Sequence, residues 1–451
     1  MKNLFRIFLF FIFISNIANA SELDELRESL QMMQNQMLQL QEKIDSLEKD
    51  KAQRAKELTH IHKHKKPDHD SKKHDASDVV IKLAPAPKIY TKDGNFSAKF
   101  IGFMQADATF FNDDDVDQPD STTIKRARLG LKGKYLKDWG YKFLYDFGND
   151  SEALQDAYID YNGLDNFTFT LGQFKEPSGF ARQNVAKYFT FVEIPLTHSL
   201  TAGRSTGFNT KFLNDNLQIN LGVFGDNVNN KSNDDEGTAI SGQLIYYPIA
   251  QKDKHLHLGI NTSYRNPDAA DDSVSYAGKI STSSNVTNSL STGSINNVDN
   301  VMVSGVELLA IRDSLSLQAE YVMADIMRGD GNSDERFESY YVFASWMLTG
   351  ETKKIKRKYN AYKRVKPLNP FNIKKSGGIG AFELASRYEH LDLTDDAIQA
   401  GEMDRYTVGL NWFPNQYTKF LLNYAFVDTD ELANIADDNS NVITMRAQIE
   451  F

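Results

Sequence analysis

Arg126 and Arg128 stand two apart in the run KRARLGLKG (residues 125–133), interleaved with Ala127, Leu129 and Leu131. On a strand that alternation sends both guanidiniums to one face and the apolar side chains to the other. With Lys125 beside them they could attract an oxyanion, because a guanidinium fork offers paired N–H donors to two oxygens at once. Residues 353–375 carry ten further cations and no acid: Lys353, Lys354, Lys356, Arg357, Lys358, Lys363, Arg364, Lys366, Lys374 and Lys375. A segment of that charge concentrates anions near any opening it borders. Covalent chemistry has little to work with. The chain has no cysteine, and His198, His255, His257 and His390 stand in no nucleophile motif. The carboxylates Asp146 and Glu320 fit pairing with basic residues better than acid–base work, so no catalytic residue is assigned and an enzyme is not expected.

Three N-terminal segments precede the region that must position these cations. Lys2 and Arg6 open an apolar run from Leu4 to Ile17 that ends in Ala18-Asn19-Ala20. Such a run is too short to span a bilayer and carries a small-x-small cleavage site, so residues 1–20 read as a secretory signal peptide. Within 21–58, apolar residues fall at Leu23, Leu26, Leu30, Met33, Met37, Leu40, Ile44 and Leu47. The steps alternate three and four, as in the seam of an α-helical coiled coil; a lone amphipathic helix usually shows a wider apolar face. Residues 59–94 form a Lys-, His- and Pro-rich stretch holding His60, His62, His64, His69 and His74. Its lysines would repel a cation, so a solvated linker fits better than a metal site, and no metal or cofactor is assigned.

From residue 95 to 451 the hydrophobic period is two. Ile443, Met445, Ala447, Ile449 and Phe451 alternate with Thr444, Arg446, Gln448 and Glu450, and Tyr141, Phe143, Tyr145 and Phe147 alternate with Lys142 and Asp146. An apolar face opposite a charged one suits a strand between lipid and water. Strands are expected near 95–111, 122–135, 139–148, 154–162, 167–174, 204–213, 217–226 and 237–248. Eight more follow near 255–266, 300–312, 315–327, 336–348, 378–392, 402–413, 417–428 and 440–451. An even set of sixteen lets every edge pair, and a ring of that size encloses water. The fold expected is therefore an all-β, sixteen-stranded antiparallel transmembrane barrel with a coiled-coil segment before it. Asp146 and Glu320 are expected to pair with basic residues across the lumen. The net charge of −10 argues against nucleic acid as a partner.

Several segments resemble the phosphate-selective porin O and P family: GFMQAD (102–107), KRARLGLKG (125–133), LQDAYIDYNG (154–163), LGQFKE (171–176), VEIPLT (192–197), LTGE (348–351) and VGLNWFPN (408–415). They keep the family's order through the whole barrel. The resemblance implies a homotrimer of anion-favouring pores in the Gram-negative outer membrane, each narrowed by an inward loop that would correspond to residues 180–200. It also implies that Lys125 and Arg126 are the basic pair of the second strand, and that Arg182 stands where phosphate-specific members carry a loop lysine. A chain that ends on a patterned strand with Phe451 resembles the signal read by the barrel-assembly machinery. The sequence departs from the pattern at Ile194 and Phe103, where arginines are usual. It departs again at Val185 and Ala186, where phosphate-specific members have hydroxyls, and at Gln155, where they have an aspartate.

Fewer donors hold a dehydrated anion less tightly, so these departures favour broad passage of small anions, phosphate or polyphosphate among them, over a strict phosphate site. Lys125, Arg126, Arg128 and Arg182 are the expected pore-lining cations. The 353–366 cluster is expected either as a basic vestibule or as a solvated loop, or as a grip on lipopolysaccharide. The competing reading is a structural protein whose periplasmic coiled coil tethers the membrane to the cell wall.

Overall fold

The computed structural model describes residues 79–113, 118–148, 153–230, 235–267, 272–283, 289–372, 377–430 and 438–451. The expected signal peptide, coiled coil and first part of the linker lie outside these. Sixteen strands, β1 to β16, form the wall. They are β1 (Phe96–Asp113), β2 (Ser121–Tyr135), β3 (Trp139–Asp146), β4 (Ala153–Tyr161), β5 (Phe167–Lys175), β6 (Arg204–Leu213), β7 (Leu217–Phe224) and β8 (Thr238–Ala250). The second half comprises β9 (Lys254–Asn266), β10 (Val298–Arg312), β11 (Leu315–Arg328), β12 (Glu335–Met347), β13 (Ala381–Asp395), β14 (Ile398–Asn415), β15 (Thr418–Thr429) and β16 (Asp438–Glu450).

Each strand pairs antiparallel with the next, and β16 returns to β1 through Met445↔Ala108 and Ile449↔Met104. Closure leaves no unpaired backbone edge for lipid, which could not solvate one. The seam ends where the Phe451 N–H donates to the Gly102 carbonyl at 3.1 Å. A Cβ at position 102 would come within 2.5 Å of the Phe451 ring, so glycine is what lets the terminal aromatic lie on the wall.

Alternation sorts the side chains as lipid and water require. On β16, Ile443, Met445, Ala447 and Ile449 face outward and are exposed, whereas Thr444, Arg446, Gln448 and Glu450 are buried inside. Aromatic clusters such as Trp139–Tyr161 (4.9 Å between rings) and Trp412–Phe420 (5.5 Å) gather at the short-turn end, as a girdle at the membrane interface does.

Two expected boundaries change. Residues 79–94 are not wholly linker: Val79–Lys82 and Lys88–Thr91 pair as a hairpin, whose second strand continues the sheet onto β1 through Lys88↔Lys99. Their β-branched and aromatic residues favour strands, and the neighbouring lysines and prolines masked that signal. Between β13 and β14 the ladder runs on to Asp395↔Ile398, so an expected loop is largely strand.

A ring of sixteen strands is too wide for its wall side chains to fill, and three connections turn inward to occupy it. Residues 176–203 enter after β5, and the described residues 272–283 and 289–297 after β9. With the β10–β16 wall they form an apolar core inside the barrel, where Leu196, Leu200, Ile280, Leu290 and Ile295 pack on Phe337, Leu391, Met403 and Val427. The third, described at residues 348–372 and 377–380, leaves from the opposite end of the cylinder, the end of the short turns. It links β12 to β13 and carries the basic cluster.

Candidate functional site, the basic wall of the lumen

The cations of β2 lie on one inward face. Phe103↔Arg128 and Gln105↔Arg126 pair across β1 and β2, after which the register shifts before Asp107↔Thr123. Ala106 thus faces both Ile124 and Lys125. A bulge of this kind re-aims a side chain, and Lys125 reaches inward to the Thr282 carbonyl of the 267–297 loop. Arg126 donates to Gln105 Oε1 at 2.9 Å and has no ion pair among the described residues. Arg128 pairs with Asp146 at 2.7 Å.

Toward the short-turn end the register lines up Lys88↔Lys99, Lys99↔Lys132 and Lys132↔Lys142, four lysines abreast on adjoining strands. Directly opposed like charges weaken a sheet. Among the described residues Lys142 alone of the four has an ion pair, with Asp156 at 2.7 Å, which also accepts from Arg204 at 3.0 Å. Such a row is tolerable where it meets water and mobile anions.

The 176–203 loop carries the next cation inward. Its turn Phe180–Gln183 is clamped at both ends: the Ala181 N–H donates to Glu320 Oε1 at 2.6 Å, while Lys175 Nζ donates to the Arg182 and Asn184 carbonyls at 2.7 and 2.6 Å. An acid at the N-terminal end and a cation at the C-terminal end suit the peptide dipoles. Glu320 therefore docks the loop instead of pairing with a basic residue, unlike Asp146. Arg182 itself turns toward the loop's return leg, donating to the Thr201 and Ala202 carbonyls at 2.6 and 2.8 Å. Burial, then Arg204, brings its pKa down to about 10. Burial and the cations Arg182 and Lys175 push His198 well below the usual histidine range, so its ring is neutral.

Two buried arginines that the sequence did not single out, Arg387 and Arg405, also hold this loop. Arg405 pairs with Glu389 at 2.7 Å and donates to the Ile194 carbonyl at 2.9 Å; Arg387 donates to the Glu193 carbonyl at 3.2 Å. At Ile194 a wall arginine thus grips the backbone. The Glu193 carboxylate accepts from Ser281 Oγ and the Thr282 N–H, both at 2.7 Å, and from Thr282 Oγ1 at 2.5 Å. Burial opposes its ionisation, but Arg405 and these hydrogen bonds together hold its pKa below the ordinary value. Glu193 thereby latches one inward loop to the other.

The 353–366 cluster divides. Lys353 is buried against Glu383 and Thr190, and Arg364 pairs with Glu450 at 2.8 Å. Lys354, Lys356, Lys363 and Lys366 are exposed, while Arg357 and Lys358 reach far turns of the wall. Lys374 and Lys375 lie outside the described residues. The cluster folds back across the mouth, with four of its cations in water and four engaged by the barrel or its loops.

The three inward segments leave the lumen lopsided. Inward side chains of β10–β16 are nearly all buried, including Glu307, Glu320, Glu383 and Glu389. On β2, β3 and β6 the inward Arg126, Arg128, Lys132, Lys134, Lys142 and Lys211 keep partial or full exposure. Arg387, Arg405, Lys419 and Arg446 are buried along with those acids, so most of the inward charge left in water is cationic, with Asp160 a partly exposed acid among it.

The profile of the family described as phosphate-selective porin O and P matches residues 99–451. The chain belongs to that family. It is 26% identical to Porin O of Pseudomonas aeruginosa over 419 residues, covering 84% of this chain and 93% of that protein. An uncharacterised protein of Caulobacter vibrioides is 22% identical over 407 residues, covering 81% and 76% of the two chains. Among solved structures, the barrel is similar to an anion-selective porin from Comamonas acidovorans (TM-score 0.52, 13% identity, 79% of this chain and 100% of that one). It is also similar to the trimer form of OmpT, an outer-membrane protein of Vibrio cholerae (TM-score 0.51, 11% identity, 79% and 99%). At those identities the likeness establishes the barrel alone. As a family member the chain is an outer-membrane porin, a channel and not an enzyme.

Proposed function

We propose that this porin passes small inorganic anions, phosphate among them, by diffusion along its β1–β6 wall, without a tight phosphate site. One observation carries the reading: the inward loops bury the paired acids and arginines of β10–β16 and leave the mostly basic β2, β3 and β6 wall in water. An anion entering there meets Arg126 and Arg128, then the lysine row of Lys99, Lys132 and Lys142, so positive potential accompanies it through the membrane. The name of the Comamonas porin fits this preference.

Weak retention follows from the same contacts. A dehydrated phosphate needs several convergent donors. Arg128, Lys142 and Arg204 are shared with Asp146 and Asp156, and Arg182 is spent on backbone carbonyls. Val185 and Ala186 bring no hydroxyls. Assembly as a trimer in lipopolysaccharide-bearing membrane, inserted through the Phe451 strand, completes the proposal. Proteoliposomes loaded with an anion indicator test it: chloride and phosphate should both enter at rates linear in concentration up to tens of millimolar. Saturation of phosphate uptake in the micromolar range would replace diffusion with a binding site. Exclusion of both anions would end the anion reading.

A further inference from the structure

We propose that the cavity enclosed by the short-turn ends of β13–β16, the 176–203 loop and the 348–372 connection binds one small monovalent anion of chloride size, with the Lys419 ammonium as its principal ligand. The site lies apart from the basic wall of β1–β3, and its occupant holds the two inward segments to the barrel.

The cavity has a volume of about 30 Å³. About 10–15 Å³ of such space admits one water, so the room suits one or two bodies of that size and no bulky organic anion. Lys187, Lys353, Arg364 and Lys419 line it together with Glu383 and Glu450, and the exposed Lys363 stands at its rim. The two acids are engaged oxygen by oxygen. Glu450 accepts from Lys187 at Oε2 (2.7 Å) and from Arg364 at Oε1 (2.8 Å). Glu383 accepts from Lys353 at Oε1 and from Asn411 Nδ2 at Oε2 (2.9 Å). Four buried or half-buried cations thus face two carboxylates, and positive charge is left over.

Lys419 is the cation left over. It points inward from β15, only 5% exposed, and has no ion pair among the described residues. Its ammonium donates to the Phe189 carbonyl and lies 5.3 Å from the centre of the Phe413 ring, neither of which carries a charge. An ammonium has three donors, and a charge buried without a counter-charge is costly. A halide in the cavity supplies one. Thr190 offers a second ligand: its Oγ1 accepts from Lys353 Nζ at 2.8 Å, which leaves its own hydroxyl hydrogen to give. The lining comes from three separate segments, with Lys419 on β15, Lys187 and Thr190 on the 176–203 loop, and Lys353 and Arg364 on the connection. An anion among them cancels the repulsion that otherwise drives both segments off the wall.

The experiment uses the full chain in detergent and follows urea unfolding as potassium chloride replaces potassium gluconate at constant ionic strength. Gluconate is too bulky to enter. For a site half-filled near about 10 mM, the folded-to-unfolded ratio should rise about tenfold by about 100 mM chloride. K419M removes the ammonium and keeps its bulk. Its ratio should be equal in the two salts and, without chloride, no lower than that of the wild type, because the charge that needed the anion is gone. An equal chloride response in both proteins is a general salt effect and overturns the proposal. So does a flat wild-type response, which means that Lys419 sheds its proton instead of holding an anion. If K419M does not assemble, wild-type crystals soaked in bromide decide alone. An anomalous peak within hydrogen-bonding reach of Lys419 Nζ supports the site, and an empty cavity in crystals that hold bromide along the basic wall overturns it. A bromide peak without the chloride response is binding at crystal concentration only, and the proposal fails. A wild type that prefers potassium refutes the channel reading and leaves this test standing.

Discussion

Replacing Arg126 with glutamate should cost the pore most of its anion preference. Arg126 has no ion pair among the described residues and holds only Gln105 at 2.9 Å, whereas Arg128 is paired with Asp146, so no carboxylate directly offsets the Arg126 charge. The substitution changes the local charge by two units. An ion passing about 6 Å away in water-like dielectric feels roughly 0.7 kcal/mol per unit charge, hence about 1.4 kcal/mol in all. That corresponds to about tenfold less anion at the narrow point and a comparable gain of cation. Screening shortens the reach to about 3 Å in 1 M salt, so the effect belongs at 0.1 M, where it extends to about 10 Å. The assay is the reversal potential under a potassium chloride gradient, for wild type and R126E side by side. R126A should fall midway. If R126E assembles normally and its reversal potential is unchanged at low salt, Arg126 does not face the conduction path and the placement of the aqueous route along β2 is mistaken.

Other substitutions separate structural from conductive charges. K132E sets an acid between Lys99 and Lys142, so it should stabilise the barrel by about 0.2–1 kcal/mol while lowering anion preference, read as a later urea midpoint together with a shifted reversal potential. D107A strands Arg446, whose Nε and Nη2 lie 2.6 and 2.5 Å from that carboxylate in a fully buried pair, and should cost about 3–5 kcal/mol in a folding titration. Glu193 has a depressed folded-state pKa, so its latch is in force above the ordinary glutamate value of about 4.3 and is lost as pH falls through the lower folded-state value. Open-channel noise should therefore stay flat from pH 7 to about 5; E193A should be noisy throughout, and equal noise in both proteins would remove the latch.

The barrel was legible because lipid and water impose a period of two that few other environments sustain for so many strands. Arg126 and Arg128 were legible for the same reason, repeating on one strand. Lys99, Lys175 and Arg204 were not, and Lys142 was placed on the charged face of its strand but not in a row. Their meaning comes from register around the ring, which local pattern does not encode. Glu320 shows the limit from the other side. Its inward direction followed from alternation, but its partner is a backbone N–H on a loop more than a hundred residues away. The charge of the 353–366 cluster was plain, whereas its fold was not: Arg357 and Lys358 bind carbonyl and amide oxygens of turns on the far side of the mouth. The hairpin at 79–91 was hidden by its own lysines and prolines.

The reversal potential of the wild-type protein in a planar bilayer, with dilute potassium chloride on one side and concentrated on the other, bears most directly on the channel. A wall with wet cations and covered acids requires the potential to lie toward chloride, and millimolar phosphate should leave the chloride current nearly intact. A potential lying toward potassium would mean that the buried acids, and not the exposed cations, govern the path.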